Sequence, residues 1–320
     1  MSAPARSLRA AALMLLASFI WGTAFVAQTL SIGTVGAFTF TGLRFLLGAA
    51  VVGAWLALRG IAPFTPTAGH APARLLWRHG AMLGAVVAVS ISLQQIGLES
   101  TTVANAGFIS SLYVILVPFL GLALRHHGPL APGIWASSVL ALVGMYLLSV
   151  RGDFHVRHGD WLELAGALFI SVQILMLGRW APRHEPLQLA LVQFLVCGML
   201  ALAAGLVVEP ISVGALVDGL LPIAYGGVLS VGIAYTLQVV AQRDANPAHA
   251  AVIFSMEGVF AALAAWLVLD QRLDARALAG CALVFAGLVL SQLPRRALTR
   301  SLLASWGWLR GRRAAASDPA

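Results

Sequence analysis

LQQIGLESTTVANAGFISSLY (Leu93 to Tyr113) and LQVVAQRDANPAHAAVIFSME (Leu237 to Glu257) are two versions of one segment, aligned at a constant shift of 144 residues. Leu93/Leu237, Gln94/Gln238, Ala104/Ala248, Ala106/Ala250, Ile109/Ile253 and Ser111/Ser255 coincide. After one residue is lost in the following loop, the register resumes at a shift of 143 with Leu130/Leu273, Ala136/Ala279, Leu140/Leu283, Gly144/Gly287 and Leu147/Leu290. Working outward, Ala17, Phe19 and Ile20 fall on Ala167, Phe169 and Ile170, and Phe45-Leu46 on Phe194-Leu195. The chain is a fused duplication. Its expected units are residues 10–150, residues 160–293 and a basic tail, 294–320.

Composition says where the duplicated unit lives. Hydrophobic residues make up 60% of the chain and charged ones 10%, too much apolar surface for an aqueous fold to hide. A bilayer core of ~30 Å takes ~20 apolar residues per helix. Ten stretches meet that length: Ala10 to Leu30, Gly36 to Leu58, Gly80 to Leu98, Val103 to Leu124, Gly133 to Val150, Trp161 to Leu177, Leu187 to Val208, Gly219 to Ala241, Pro247 to Leu269 and Ala275 to Leu293. None alternates polar and apolar as a barrel strand does. The first, although preceded by Arg6 and Arg9, is too long for a signal-peptide core and matches Trp161 to Leu177, so it reads as a repeat member. The fold class expected is an all-α integral membrane protein, five helices per half.

Every basic side chain is an arginine, twenty in all, and fifteen fall on the cytoplasmic side if the N-terminus lies there. Arg151, Arg157, Arg272 and Arg276 fall opposite, and Arg44 lies inside a span. This positive-inside bias predicts that both termini are cytoplasmic in a protein expected in the plasma (inner) membrane. The net charge of +8 is then a topology signal and an attraction to anionic headgroups, not a nucleic-acid footprint. Trp306 and Trp308, interleaved with arginines between Thr299 and Arg313, suit an interfacial tail.

Five spans carry a chain across the membrane an odd number of times, so the second half starts on the opposite side and the halves are inverted. That plan recurs in secondary transporters, with the site near the midplane between the halves. IWGTAF (Ile20 to Phe25), GLRFLLGAA (Gly42 to Ala50), ANAGFISSLYVILVP (Ala104 to Pro118) and the run from Ala250 to Gly287 resemble the drug/metabolite transporter superfamily, in its bacterial ten-helix EamA-type branch. The resemblance spans residues 10 to 293 and rests on the order, spacing and duplication of the motifs. It implies export of amino acids or related compounds, with helices one to four and six to nine around a cavity and helices five and ten peripheral. One departure is Glu257-Gly258, where the family often carries Glu-Pro; the proline that would break the helix is missing here.

Polar groups at membrane depth are expensive, by ~2.5 to 3.5 kcal/mol for a charge on insertion scales, and mark candidate sites. Glu257 lies ten residues beyond Pro247, ~15 Å along its helix and near the midplane. Its repeat mate is Tyr113. The pair reads as the cavity floor, with Glu257 binding a substrate ammonium or carrying a coupling proton, since a neutral carboxyl costs less to bury than a carboxylate; the alternative is a carboxylate that only bridges helices. Arg44, whose mate is the neutral Gln193, suits a bidentate carboxylate or phosphate clamp. Its structural alternative is an ion pair with Glu99 or a snorkelling side chain. Gln94 and Gln238 are mates and share an expected cavity-facing position, while Trp21, Asn105, Gln173, Tyr235 and Ser255 complete the substrate-binding candidates, with His249 beside them. Gly22, Gly107, Gly227, Gly280 and Gly287 are expected to permit close helix packing, and Cys197 and Cys281 to be packing residues.

Enzyme chemistry finds no foothold. The chain has no HExxH, no GxSxG, no lysine for a Walker motif and no aspartate-rich diphosphate motif. His126-His127 lacks metal-ligand spacing, and His155 and His158 beside Asp153 and Asp160 form only a loose cluster. A channel would want charged rings or repeated filter residues, and none occurs. The expectation is a metabolite exporter driven by a gradient, with an importer or facilitator as the alternative. It needs no cofactor or metal, and its partners are a small-molecule substrate and the lipid bilayer, with homodimerisation left open.

Overall fold

In lipid a backbone must satisfy its own N–H and C=O groups, and an apolar run longer than a strand does so as a helix. The computed structural model describes residues 3–101, 103–124, 132–150, 157–269 and 273–292. Among them ten helices are long and apolar enough to cross a membrane, and no strand occurs. They are α1 (Ala3–Ser31), α2 (Ala37–Leu58), α3 (Ala73–Ser100), α4 (Val103–Ser110 and Tyr113–Ala123), α5 (Pro132–Ser149), α6 (His158–Trp180), α7 (Pro186–Val208), α8 (Leu220–Gln242), α9 (Pro247–Phe254 and Met256–Leu269) and α10 (Ala275–Gln292). The basic tail, Arg125 to His127 and the loop holding Arg151, Asp153 and His155 lie outside the described residues.

Several helices differ from the sequence expectation in their starts or interiors, α1 among them, which begins at Ala3 and not at Ala10. α3 begins at Ala73, well before Gly80, directly after the extended backbone of Pro72. α4 and α9 are each broken, although α9 has no proline at its break. Two repeat mates mark the interruption: the Ser111 hydroxyl donates to the Phe108 carbonyl at 2.6 Å and the Ser255 hydroxyl to the Val252 carbonyl at 2.7 Å, both three residues back. Tightened three-residue backbone bonds follow, Val114 N to Ser111 O at 3.0 Å and Gly258 N to Ser255 O at 3.3 Å. Serine hydroxyls that return to the backbone in this way compete with the helical ladder. α8 contains a π-helical stretch, Gly226–Tyr235, a wide turn of the kind that accompanies functional sites.

Helix pairing is the same when the two halves are exchanged. α5 packs on α10, α2 on α7, α3 on α6 and α7, and α8 on α1 and α2. Repeat mates meet each other at two places: the rings of Phe45 and Phe194 lie 6.0 Å apart, and the Tyr113 hydroxyl donates to Glu257 Oε1 at 3.1 Å. α5 and α10 obey the same symmetry, since a Cβ on Gly144 would lie 2.7 Å from the Gly280 carbonyl and one on its mate Gly287 would lie 2.7 Å from the Ser137 carbonyl. Gly22 and Gly227 are equally closed by neighbours, whereas Gly107 meets nothing within 4 Å.

α2 and α7 run antiparallel. At one end Gln188 Nε2 donates to the carbonyls of Ala62 and Thr65 at 2.7 Å each, and Ala71 N to Arg183 O at 2.8 Å. At the other end the Glu209 carboxylate accepts from Phe38 N at 2.7 Å and Thr39 N at 2.8 Å, so the C-terminus of α7 caps α2. A carboxylate on the free N–H groups of a helix start also complements the helix dipole.

Candidate functional site

A cavity of about 70 Å³ lies between the halves, room for a handful of waters at ~10–15 Å³ each. Its wall comes from α1, α2, α3, α4, α6, α8 and α9. α5 and α10 stay outside, packed mainly on each other, as expected of peripheral helices. Seven of the sequence candidates line the cavity: Trp21, Arg44, Gln94, Tyr113, Tyr235, Gln238 and Glu257.

Aromatic side chains build one wall. Trp21 donates its indole N–H to the Ser230 carbonyl at 3.3 Å, within the π-helical stretch. Its ring stands edge-on to Tyr235 at 4.8 Å and tilted against Phe254 at 5.3 Å. Tyr235 in turn rests on Phe45 at 5.5 Å, so the cavity lies between the two places where repeat mates touch.

Arg44 is 3% exposed. Its guanidinium carbon lies 4.8 Å from the centre of the Phe40 ring and 5.7 Å from that of Phe45. The expected ion pair with Glu99 is not formed: among the described residues Arg44 has no carboxylate partner, and its Nε makes no hydrogen bond. The rings of Phe40 and Phe45 flank the cation instead. Glu257 is partly buried in the first turn of the second segment of α9, held by Tyr113.

Three candidates are held elsewhere. Gln173 is fully buried and exchanges hydrogen bonds with Gln238 at 3.2 and 3.5 Å, joining α6 to α8 behind the cavity wall. Ser255 spends its hydroxyl on the break in α9. Asn105 reaches Asp160 Oδ2 at 3.5 Å, in a cluster where Asp160 also accepts from Arg157 N at 2.8 Å and from the Thr101 hydroxyl. That cluster joins α3, α4 and the start of α6; Asp160 therefore serves as a helix cap. Among the described residues no group of three metal-ligating side chains comes together.

Sequence reasoning missed Phe25, Gln28, Ser110, Glu163 and Ser230, which also line the cavity. Trp21, Phe25 and Gln28 follow the i, i+4, i+7 spacing of one helix face, which was a usable signal. Glu163 sits so near the start of its apolar run that it reads as interfacial; the fold buries it to 1% exposure. Ser110 Oγ donates to Glu163 Oε2 at 2.7 Å, and Glu163 Oε1 has no hydrogen-bond partner among the described residues.

On the cytoplasm-predicted end, His79 Nδ1 and His184 Nε2 lie 2.9 Å apart, with Trp180 stacked on His79 at 4.2 Å. Burial, with the neighbouring His79, His70 and Arg183, pushes His184 down to about 4. The neutral form is the one that can share a hydrogen bond with a second imidazole.

Comparison with known proteins agrees with this geometry. The EamA-like transporter family model matches twice, over residues 8–150 and 157–293. An uncharacterized transporter of Archaeoglobus fulgidus is 28% identical over 281 residues, covering 87% of this chain and 84% of the relative. A protein crystal structure superposes with a TM-score of 0.75 at 22% identity, over 90% of this chain and 98% of that one, which speaks for the fold alone. With both halves matched in order, and a cavity between two sets of five helices, the chain belongs to the EamA-like transporter family.

Proposed function

We propose that the chain is a gradient-driven exporter of small zwitterionic metabolites, amino acids and compounds like them, in the inner membrane with both termini cytoplasmic. The observation that carries this reading is Arg44, a buried cation on the cavity wall with no counter-ion among the described residues. A guanidinium left unpaired in a low-dielectric site is costly, and a substrate carboxylate offers it a bidentate partner. Glu257, on the same wall system, takes the substrate ammonium.

Inversion of the halves is supported by the antiparallel run of α2 and α7 and by the two contacts between repeat mates. A cavity this small must open to admit a metabolite, and rocking of the halves about the axis through Phe45/Phe194 and Tyr113/Glu257 opens it to each side in turn. A proton and an ammonium compete for the Glu257 carboxylate. Proton uptake from the far side then releases substrate there, and proton loss to the cytoplasm readies the site again.

Glu257→Gln in proteoliposomes tests the cycle. The amide keeps an acceptor for Tyr113 and for the substrate but carries no proton, so pH-gradient-driven accumulation disappears while counterflow exchange persists. Full gradient-driven transport by Glu257→Gln would overturn the coupling role. Untargeted metabolite profiling of medium and cytosol with and without overexpression reads the direction, because an exporter enriches its substrate outside and an importer depletes it.

A further inference from the structure

Arg44 and Glu257 satisfy a zwitterion, and one charged group of the cavity is then left over. Ser110 and Tyr113 stand one turn apart on α4, a rise of ~5 Å, and each donates its hydroxyl to a carboxylate, Ser110 to Glu163 at 2.7 Å and Tyr113 to Glu257 at 3.1 Å. Each acid is thus held by a hydroxyl of α4, and both line the same cavity. Glu163 is 1% exposed, lines the cavity and keeps Oε1 without a donor. A buried acceptor left unmade is unfavourable, so the site is incomplete until something donates to it. Trp21, Phe25 and Phe254 line the same space with aromatic faces, which attract cations.

We propose that Glu163 receives a second cationic nitrogen, so that the substrate class is an amino acid with a basic side chain: one carboxylate for Arg44 and two cationic nitrogens for Glu257 and Glu163. The inference rests on the cavity reading given above and narrows it. With such a ligand Arg44, Glu257 and Glu163 each meet an opposite charge; with a neutral amino acid Glu163 has no cation to receive.

The test uses the purified full chain in proteoliposomes and compares counterflow of lysine with that of norleucine, which has the same carbon skeleton without the terminal ammonium. Lysine is expected to show an apparent affinity roughly tenfold to hundredfold higher, the worth of one hydrogen bond to a charged group. Glu163→Gln brings the lysine-to-norleucine ratio toward one, whereas Arg44→Lys weakens both solutes together. A ratio near one in the wild type, or an unchanged ratio in Glu163→Gln, overturns the inference and leaves the cavity reading standing. Failure of both solutes to exchange overturns the cavity reading as well. Should Glu163→Gln not reach the membrane, a competition series on the wild type decides: lysine and ornithine must displace labelled lysine far better than norleucine or cadaverine, and equal displacement by norleucine sinks the proposal.

Discussion

Replacing Arg44 by methionine separates a binding arginine from a structural one, because the two readings predict stabilities several kcal/mol apart. If Arg44 were one half of an ion pair, its removal would strand the other charge and cost about 3–5 kcal/mol of stability. The structure gives it no such partner among the described residues; its guanidinium carbon lies 4.8 Å from the Phe40 ring centre and 5.7 Å from that of Phe45. Replacing buried ionic groups by apolar side chains gains about 1–4 kcal/mol, against the loss of a desolvated ring contact worth about 2 kcal/mol. The net effect is expected between a loss of about 1 kcal/mol and a gain of about 2 kcal/mol. Thermal unfolding of the detergent-solubilised protein should therefore show Arg44→Met close to the wild type in stability, while counterflow exchange is abolished. Arg44→Lys should fold normally and lose about tenfold to hundredfold in apparent affinity, since it keeps the charge but not the fork. Marked destabilisation of Arg44→Met with exchange retained by Arg44→Lys would refute the argument.

Packing of α5 on α10 should be intolerant of bulk: Gly144→Val places new atoms where a Cβ already lies 2.7 Å from the Gly280 carbonyl and from Val284 N, and monodisperse protein yield should fall sharply. For His184 the folded value of about 4 lies below its ordinary 6.5, so the unfolded chain binds the proton first. Stability should fall as pH drops from about 6.5 towards 4, and His184→Leu should flatten that slope in thermal unfolding. Cysteine-accessibility labelling of the loop between residues 151 and 160 should mark it as extracytoplasmic; a cytoplasmic label would overturn the proposed orientation.

The duplication and the ten helices were legible in the chain because each is a statement about period, length and composition, and lipid leaves the backbone few alternatives, whereas the peripheral place of α5 and α10 was implied by the family resemblance. Of the glycines expected to permit close packing, Gly22, Gly227, Gly280 and Gly287 are closed in by neighbouring helices and Gly107 is not. Breaks were less legible. The rule that a break needs proline pointed away from one in α9, yet Ser111 and Ser255 interrupt both central helices through their own hydroxyls, and a serine that bends a helix looks no different in sequence from one that donates within it.

Depth along a helix can be counted from sequence, and the face a side chain presents cannot. Glu257 and Tyr113 were placed at one level by the repeat, but that they hydrogen-bond to each other follows from both lying at the approximate axis, which is a relation between helices. The same holds for the residues read differently. Gln173 has the polarity of a site residue and is paired with Gln238 behind the wall; Glu163 has the sequence position of an interfacial acid and is sealed inside by Ser110. By itself the sequence determined the duplicated all-helical membrane architecture, since hydropathy and period are local quantities. Only the tertiary structure decided that Arg44 has no carboxylate partner among the described residues and that two carboxylates share its cavity, because charge pairing depends on which helix faces arrive within a few ångströms of each other.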